Sequence, residues 1–164
     1  MTYYIIIRGP LGSGKSTISS KLSKKLHAEH FSIDRVLDEY SLTKDKEEGY
    51  ISQKSFKKAN ELIFPKIKKT LDNGKIAIID GNFYWKSQVE DLMERLKYPH
   101  YVFTLNAPVD VCINRDSKRE NPHGECAARV VHKKSTEFAH GHVIDVTKSL
   151  EAELKEILSY LPKK

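Results

Sequence analysis

The chain alternates short apolar runs with amphipathic stretches. The first run, Tyr3-Tyr4-Ile5-Ile6-Ile7, is unbroken, the pattern of a strand buried on both faces. Residues 75–80 repeat it as Ile76-Ala77-Ile78-Ile79 before Asp80, and residues 101–105 and 143–146 supply two more strands. A shorter segment, residues 30–33, ends at Asp34. Helical spacing fills the intervals over residues 15–27, 55–71, 88–96, 109–119, 126–138 and 150–161. Pro65 sits inside the second of these and predicts a kink or a split. Residues 35–52 read as charged and irregular, broken by Gly49. Apolar strands that alternate with helices predict a three-layer α/β/α fold, with a mainly parallel five-stranded sheet covered on both faces. The pattern shows no repeat and no linker, so residues 1–164 read as one domain.

The junction between the first strand and the first helix carries chemistry. Residues 9–16 are Gly-Pro-Leu-Gly-Ser-Gly-Lys-Ser, which fits G-x-x-x-x-G-K-[S/T], the phosphate-binding loop of the P-loop NTPase fold. Glycine lets a backbone wrap tightly and aim its N–H groups at phosphate oxygens, and the helix N-terminus adds partial positive charge. Gly9, Pro10, Leu11, Gly12, Ser13, Gly14, Lys15, Ser16 and Thr17 are therefore the expected ATP-binding residues. Lys15 is expected on the β- and γ-phosphates, and the Ser16 hydroxyl on Mg²⁺. No Asn-Lys-x-Asp guanine signature occurs, which argues against a GTPase-type switch.

In parallel sheets, ligands bind beyond the carboxyl ends of the strands. Asp34, Asp80 and Asn106 fall at such ends. One carboxylate there can take a proton from an acceptor hydroxyl and another can hold Mg²⁺; Asp34 is assigned the first role and Asp80 the second. Arg115 and Arg119 are four residues apart on one helical face. They lead into Asn121-Pro122-His123-Gly124, and Arg129 follows in the next helix. Arginine-bearing helices around flexible punctuation predict a short helical lid, about residues 116–138, that closes on the triphosphate. Lys15, Asp34 and Arg115 form the expected catalytic set. The aromatic run Phe83-Tyr84-Trp85 is read equally as an acceptor wall or as helix packing.

With these motifs the chain resembles the small P-loop kinases of nucleotide-kinase-like architecture, over nearly its whole length. Ile79-Asp80-Gly81-Asn82-Phe83 with Gln88 is similar to the Asp-Gly segment of adenylate kinases, where a glutamine at that spacing reads a nucleobase. Tyr84 stands where the arginine that reads a nucleoside monophosphate would be. Ser32-Ile33-Asp34-Arg35, together with the lid arginines, is similar to the polynucleotide kinase, chloramphenicol phosphotransferase and zeta toxin branch. In that branch the aspartate is the base toward a hydroxyl. The resemblance implies an ATP- and Mg²⁺-dependent kinase acting on a hydroxyl of a small metabolite, a nucleoside or a polynucleotide 5′ end. It places Asp34, Arg35, Asn82 and Gln88 on the acceptor side. A nucleoside monophosphate kinase and a non-kinase ATP-binding or ATPase module remain as alternative readings.

Composition narrows the setting. The net charge is +6 with a pI near 9.2, which suits anionic ligands, although the lysines on helix faces read first as solvation. No apolar stretch approaches the ~20 residues of a membrane span, and no secretory leader is expected. The two cysteines, Cys112 and Cys126, have no framework spacing, so a reducing cytoplasm is the expected location. Paired cysteines of a zinc-bearing lid are absent as well.

Overall fold

The computed structural model describes residues 1–163. Seven strands occur among them, in chain order β1 (Tyr4–Arg8), β2 (Glu29–Ser32), β3 (Lys46–Glu47), β4 (Tyr50–Ile51), β5 (Ala77–Gly81), β6 (His100–Asn106) and β7 (His142–Asp145). The two short strands β3 and β4 pair with each other as an antiparallel hairpin. The other five form one sheet in the order β2-β5-β1-β6-β7, and every pairing in it is parallel. Seven helices accompany it: α1 (Lys15–Leu26), α2 (Ile33–Glu39), α3 (Gln53–Asp72), α4 (Lys86–Leu96), α5 (Val109–Ser117), α6 (Glu125–Ser135) and α7 (Leu150–Ser159).

Strand alternation divides the core in two. Tyr4, Ile6, Ala77 and Ile79 pack with Phe56, Ile67, Val89 and Leu92 from α3 and α4. Ile5, Ile7 and Ile78 face the opposite way, onto Ile18 and Leu22 of α1 and Leu154 and Ile157 of α7. Both strand faces are covered, which is why β1 and β5 are apolar without interruption. The three-layer fold thus stands as expected.

Four local expectations are corrected. Residues 35–52 are not irregular: Ser32 caps α2 by accepting from the Arg35 N–H, and the β3–β4 hairpin follows. Asp34 therefore lies in the first turn of α2, not at a strand end, and β2 pairs with β5 instead of flanking β1. Pro65 neither splits nor ends α3, which runs unbroken from Gln53 to Asp72. Pro65 and Glu61, whose carbonyl loses its N–H donor, both lie on the exposed side of the helix, where water can substitute. The lid helix α6 stops at Ser135, short of residue 138.

Arg8 ends β1, immediately before the phosphate loop, and is fully buried. Its guanidinium meets no carboxylate. It donates to the carbonyl oxygens of Phe83 (3.2 Å), Ser135 (2.9 Å) and Phe138 (3.2 Å) and to Thr104 Oγ1 (3.1 Å). The Phe138 ring covers it at 4.1 Å. Thr104 Oγ1 in turn donates to the His140 carbonyl and accepts from its N–H. One side chain thus ties β1 to β6, to the loop after β5 and to the C-terminal end of α6. Burial lowers its pKa to about 10, still far above neutrality. Replacing Arg8 with Met should strand these four acceptors, each at about 1–3 kcal/mol. We expect a loss of about 3 kcal/mol or more in urea-unfolding free energy, and little rescue by Lys, which lacks the planar fork. A loss below about 1 kcal/mol would remove Arg8 from this role.

Candidate functional site

The phosphate loop takes its shape from two glycines. Gly12 has φ +74°, and a Cβ there would lie 2.2 Å from the Cys112 carbonyl oxygen on α5. Gly14 has φ +89° and caps α1. Both positions exclude a side chain on backbone grounds. The Ser13 hydroxyl and the Lys15 ammonium both donate to the Pro10 carbonyl, at 2.7 and 2.9 Å. Lys15 is buried, and burial pushes its pKa down, opposed by the nearby carboxylates of Asp34 and Asp80.

Asp80 sits at the sheet's carboxyl edge, in register with Ile7 on one side and Ser32 on the other. It is 2% exposed, and His30 Nε2 lies 2.5 Å from its Oδ2. Asp34, one helical residue beyond β2, holds its Oδ1 fully buried without a partner. Burial pushes its pKa up; Lys15 opposes this, Asp80 adds to it, and the Asn82 backbone N–H opposes it. Asp34 and Lys15 line a single cleft of about 910 Å³ with Leu11 to Thr17 of the loop. Ser32, Asp38, Lys46, Tyr50, Asn82 and Tyr84 line it as well.

Arg115 projects from α5 to the opposite end of the cleft. Its guanidinium donates to the Val146 carbonyl at 2.6 Å and approaches the Ser13 carbonyl at 3.5 Å. Arg119 and His123 share this wall with Lys148 and Glu153. Burial raises the Glu153 pKa, and Arg115 moderates the shift.

Not every expected residue converges. Arg129 is exposed and pairs with Glu125 on its own helix, at 2.9 Å, away from the cleft. Arg35 is exposed on the outer side of α2, and Asn106 is exposed outside the cleft. Gln88 is buried in α4 beneath α3, where Asn60 donates to its backbone carbonyl. Gly9 and Pro10 support the loop from below without lining the cleft.

Two residues carry no motif that marks them in the sequence. Asp116, 1% exposed, accepts from the backbone N–H groups of His123 and Gly124 and contacts His123 Nδ1, folding the loop that enters α6. Its pKa is lowered by those N–H donors, His123 first, against the opposing effect of burial. Lys134 of α6 is buried with its ammonium 3.9 Å from the Trp85 ring centroid, and it pairs with Glu137 at 2.9 Å. The only sign of Asp116 is an acidic residue shortly before the glycine-closed loop at 121–124. Lys134 gives none.

The Asp34 carboxylate carries a sign-definite pH consequence. Its folded pKa lies above the unfolded value, so the native state binds more protons between the two, and this contribution to stability falls as pH rises through that window. Asp34→Asn should therefore raise the melting temperature at neutral pH and flatten the stability profile above the ordinary carboxylate range. A lowered melting temperature at pH 7 would contradict a desolvated, unpaired carboxylate.

Residues 5–141 match the family model described as AAA domain (AAA_33). The fold is similar to that of a sugar kinase from Janibacter sp. HTCC2649, with a TM-score of 0.79 and 18% identity over 98% of this chain and 94% of that one. It is also similar to a gluconokinase from Sinorhizobium meliloti 1021, with a TM-score of 0.73 and 14% identity over 95% of this chain and 89% of that one. A comparison with curated proteins finds no match. The family match spans the phosphate loop, the carboxylate edge and helices α5 and α6, and on that match the chain belongs to the AAA domain family AAA_33.

Proposed function

We propose that the chain is an ATP-dependent phosphotransferase that moves the γ-phosphoryl group of ATP to a hydroxyl of a small molecule. The observation that carries this reading is Asp34: a carboxylate with a buried, unpartnered oxygen, in the same cleft as Lys15 and the phosphate loop. A module that only binds ATP has no use for a buried base at that place. The sugar kinase and gluconokinase folds support a small-molecule acceptor. Tyr84 disfavours a nucleoside monophosphate kinase: it stands in place of the phosphate-reading arginine, and its hydroxyl accepts from the Ile51 N–H at 2.9 Å. The finer likeness to the polynucleotide kinase, chloramphenicol phosphotransferase and zeta toxin branch rests on Ser32–Arg35 and the lid, of which Asp34 and Arg115 line the cleft.

In this mechanism the loop N–H groups and Lys15 bind the triphosphate, with Lys15 exchanging the Pro10 carbonyl for phosphate oxygens. Arg115, held against Ser13, stabilises charge that spreads over the phosphoryl group in transfer. Asp34 orients the acceptor hydroxyl and takes its proton. The Ser16 hydroxyl, which lines the cleft, would hold Mg²⁺; Asp80 does not line the cleft and its Oδ2 lies against His30, so its carboxylate would act on the ion through water. When bound, the ion neutralises charge between the β- and γ-phosphates.

Labelled ATP tests the assignment. Lys15→Ala should remain folded by circular dichroism and lose most transfer. Asp34→Asn should lower product formation by about 10²-fold or more and leave ATP affinity near wild type. Collapse of ATP affinity in Asp34→Asn, or unchanged transfer in either folded variant, would overturn the roles of these two residues.

A further inference from the structure

Away from the phosphate loop the cleft changes character. Asp34 and Asp38 stand one turn apart on α2, so both face this end, and both line it. Asn82 is 8% exposed, lines the same wall, and its Oδ1 has no hydrogen-bond partner. Asp34 Oδ1 is likewise buried and unpartnered. Among the described residues the Asp38 carboxylate has no ion-pair partner. Buried acceptor oxygens are rarely left unmet in folded proteins. Two of them on one wall, Asp34 Oδ1 and Asn82 Oδ1, with the exposed Asp38 carboxylate beside them, suit a ligand that brings N–H or O–H donors.

The charges exclude the opposite kind of ligand. A phosphate or carboxylate on the acceptor would need arginine or several lysines. No arginine lines this end: Arg35 points away, Arg115 reaches Ser13 and Val146, and Arg119 contacts Asp116 and His123. Among the described residues three lysines line the cleft: Lys15, Lys148, which pairs with Glu156, and Lys46 of β3. Lys15 belongs to the triphosphate. Tyr50 and Tyr84, 5.7 Å apart between ring centroids, add apolar surface to the cleft, with Tyr84 mostly buried against Phe56 and the Lys134 ammonium already 5.4 Å from the Tyr50 ring.

We propose that the acceptor is a polyhydroxylated compound that carries no anionic group. Its hydroxyls, or an ammonium in an amine-bearing example, satisfy Asn82 and Asp38 while one hydroxyl faces Asp34. This rests on the phosphotransferase reading above. In the transfer, Asp34 takes the hydroxyl proton as the acceptor oxygen bonds to the γ-phosphorus. The bond from that phosphorus to the β,γ-bridging oxygen breaks, and ADP leaves with the electron pair.

The experiment uses the full chain, labelled ATP, and a small-molecule extract of the source cells divided by ion exchange into cationic, neutral and anionic pools. Label should move to compounds of the cationic or neutral pool, and which of the two separates an amine-bearing polyol from an uncharged one. Label only in the anionic pool would overturn this acceptor class and leave the kinase reading intact. Label in no pool would overturn the kinase reading itself. With the labelled acceptor in hand, Asp38→Asn should raise its KM about tenfold or more with the KM for ATP unchanged. Lys46→Gln should change the acceptor KM by less than about twofold. The reverse pattern, with Lys46 needed and Asp38 dispensable, would also overturn the proposal.

Discussion

A buried guanidinium with no carboxylate nearby must find its partners among neutral oxygens, and those oxygens must come from several directions at once. Arg8 meets this condition by drawing the Phe83, Ser135 and Phe138 carbonyls and the Thr104 hydroxyl around itself. The constraint spreads outward. Phe83 holds a left-handed φ of 43°, and the residues on either side of it, Asn82 and Tyr84, line the cleft. Ser135 closes the last turn of α6, so its carbonyl is one that the helix leaves without an internal donor. A positive charge at that end also complements the helix dipole. The phosphate loop begins one residue later. Three parts of the fold, the phosphate-loop strand, the segment after β5 and the end of α6, are thus referred to a single atom group.

The electrostatics of the cleft follow the same pattern. Without phosphate, Lys15 satisfies itself on Pro10, and the loop holds its shape through Ser13 and the same carbonyl. Burial weakens the hold of Lys15 on its proton and of Asp34 on its charge, and each partly restores the other. A cation and an anion in one cleft thus each offset part of the other's burial cost. His30 against Asp80 extends the arrangement to the edge of the sheet.

The fold was legible because its strongest signals are local. An unbroken apolar run, a loop whose glycines must take positive φ, and a helix after it leave few alternatives, and Gly12 against Cys112 shows why the loop tolerates no substitute. Lys15, Asp34, Arg115 and Arg119 were found the same way and do meet in one cleft. What escaped is long-range. Helix α2 buries only Ile33 and Leu37, too little periodicity to outweigh its charge. The hairpin after it is held by Tyr84 and Trp85, which contact Ile51 from more than thirty residues away. Arg129 shares a lid with Arg119, but helical phase turns it toward Glu125. Nothing in a sequence distinguishes Arg8, buried at a strand end, from an arginine at the surface.

Trp85 is the chain's only tryptophan, and its position gives the molecule an optical handle. The indole N–H donates to Ile51 on the hairpin, the Lys134 ammonium of α6 covers one face, and Tyr50 meets it edge-on. Hairpin and α6 therefore converge on one fluorophore whose emission responds to nearby charge and to water. Any displacement of α6 or of the hairpin carries the cation or the hydrogen bond away from the ring. The unmodified chain thereby reports the placement of α6 and the hairpin in the colour and intensity of a single residue's light.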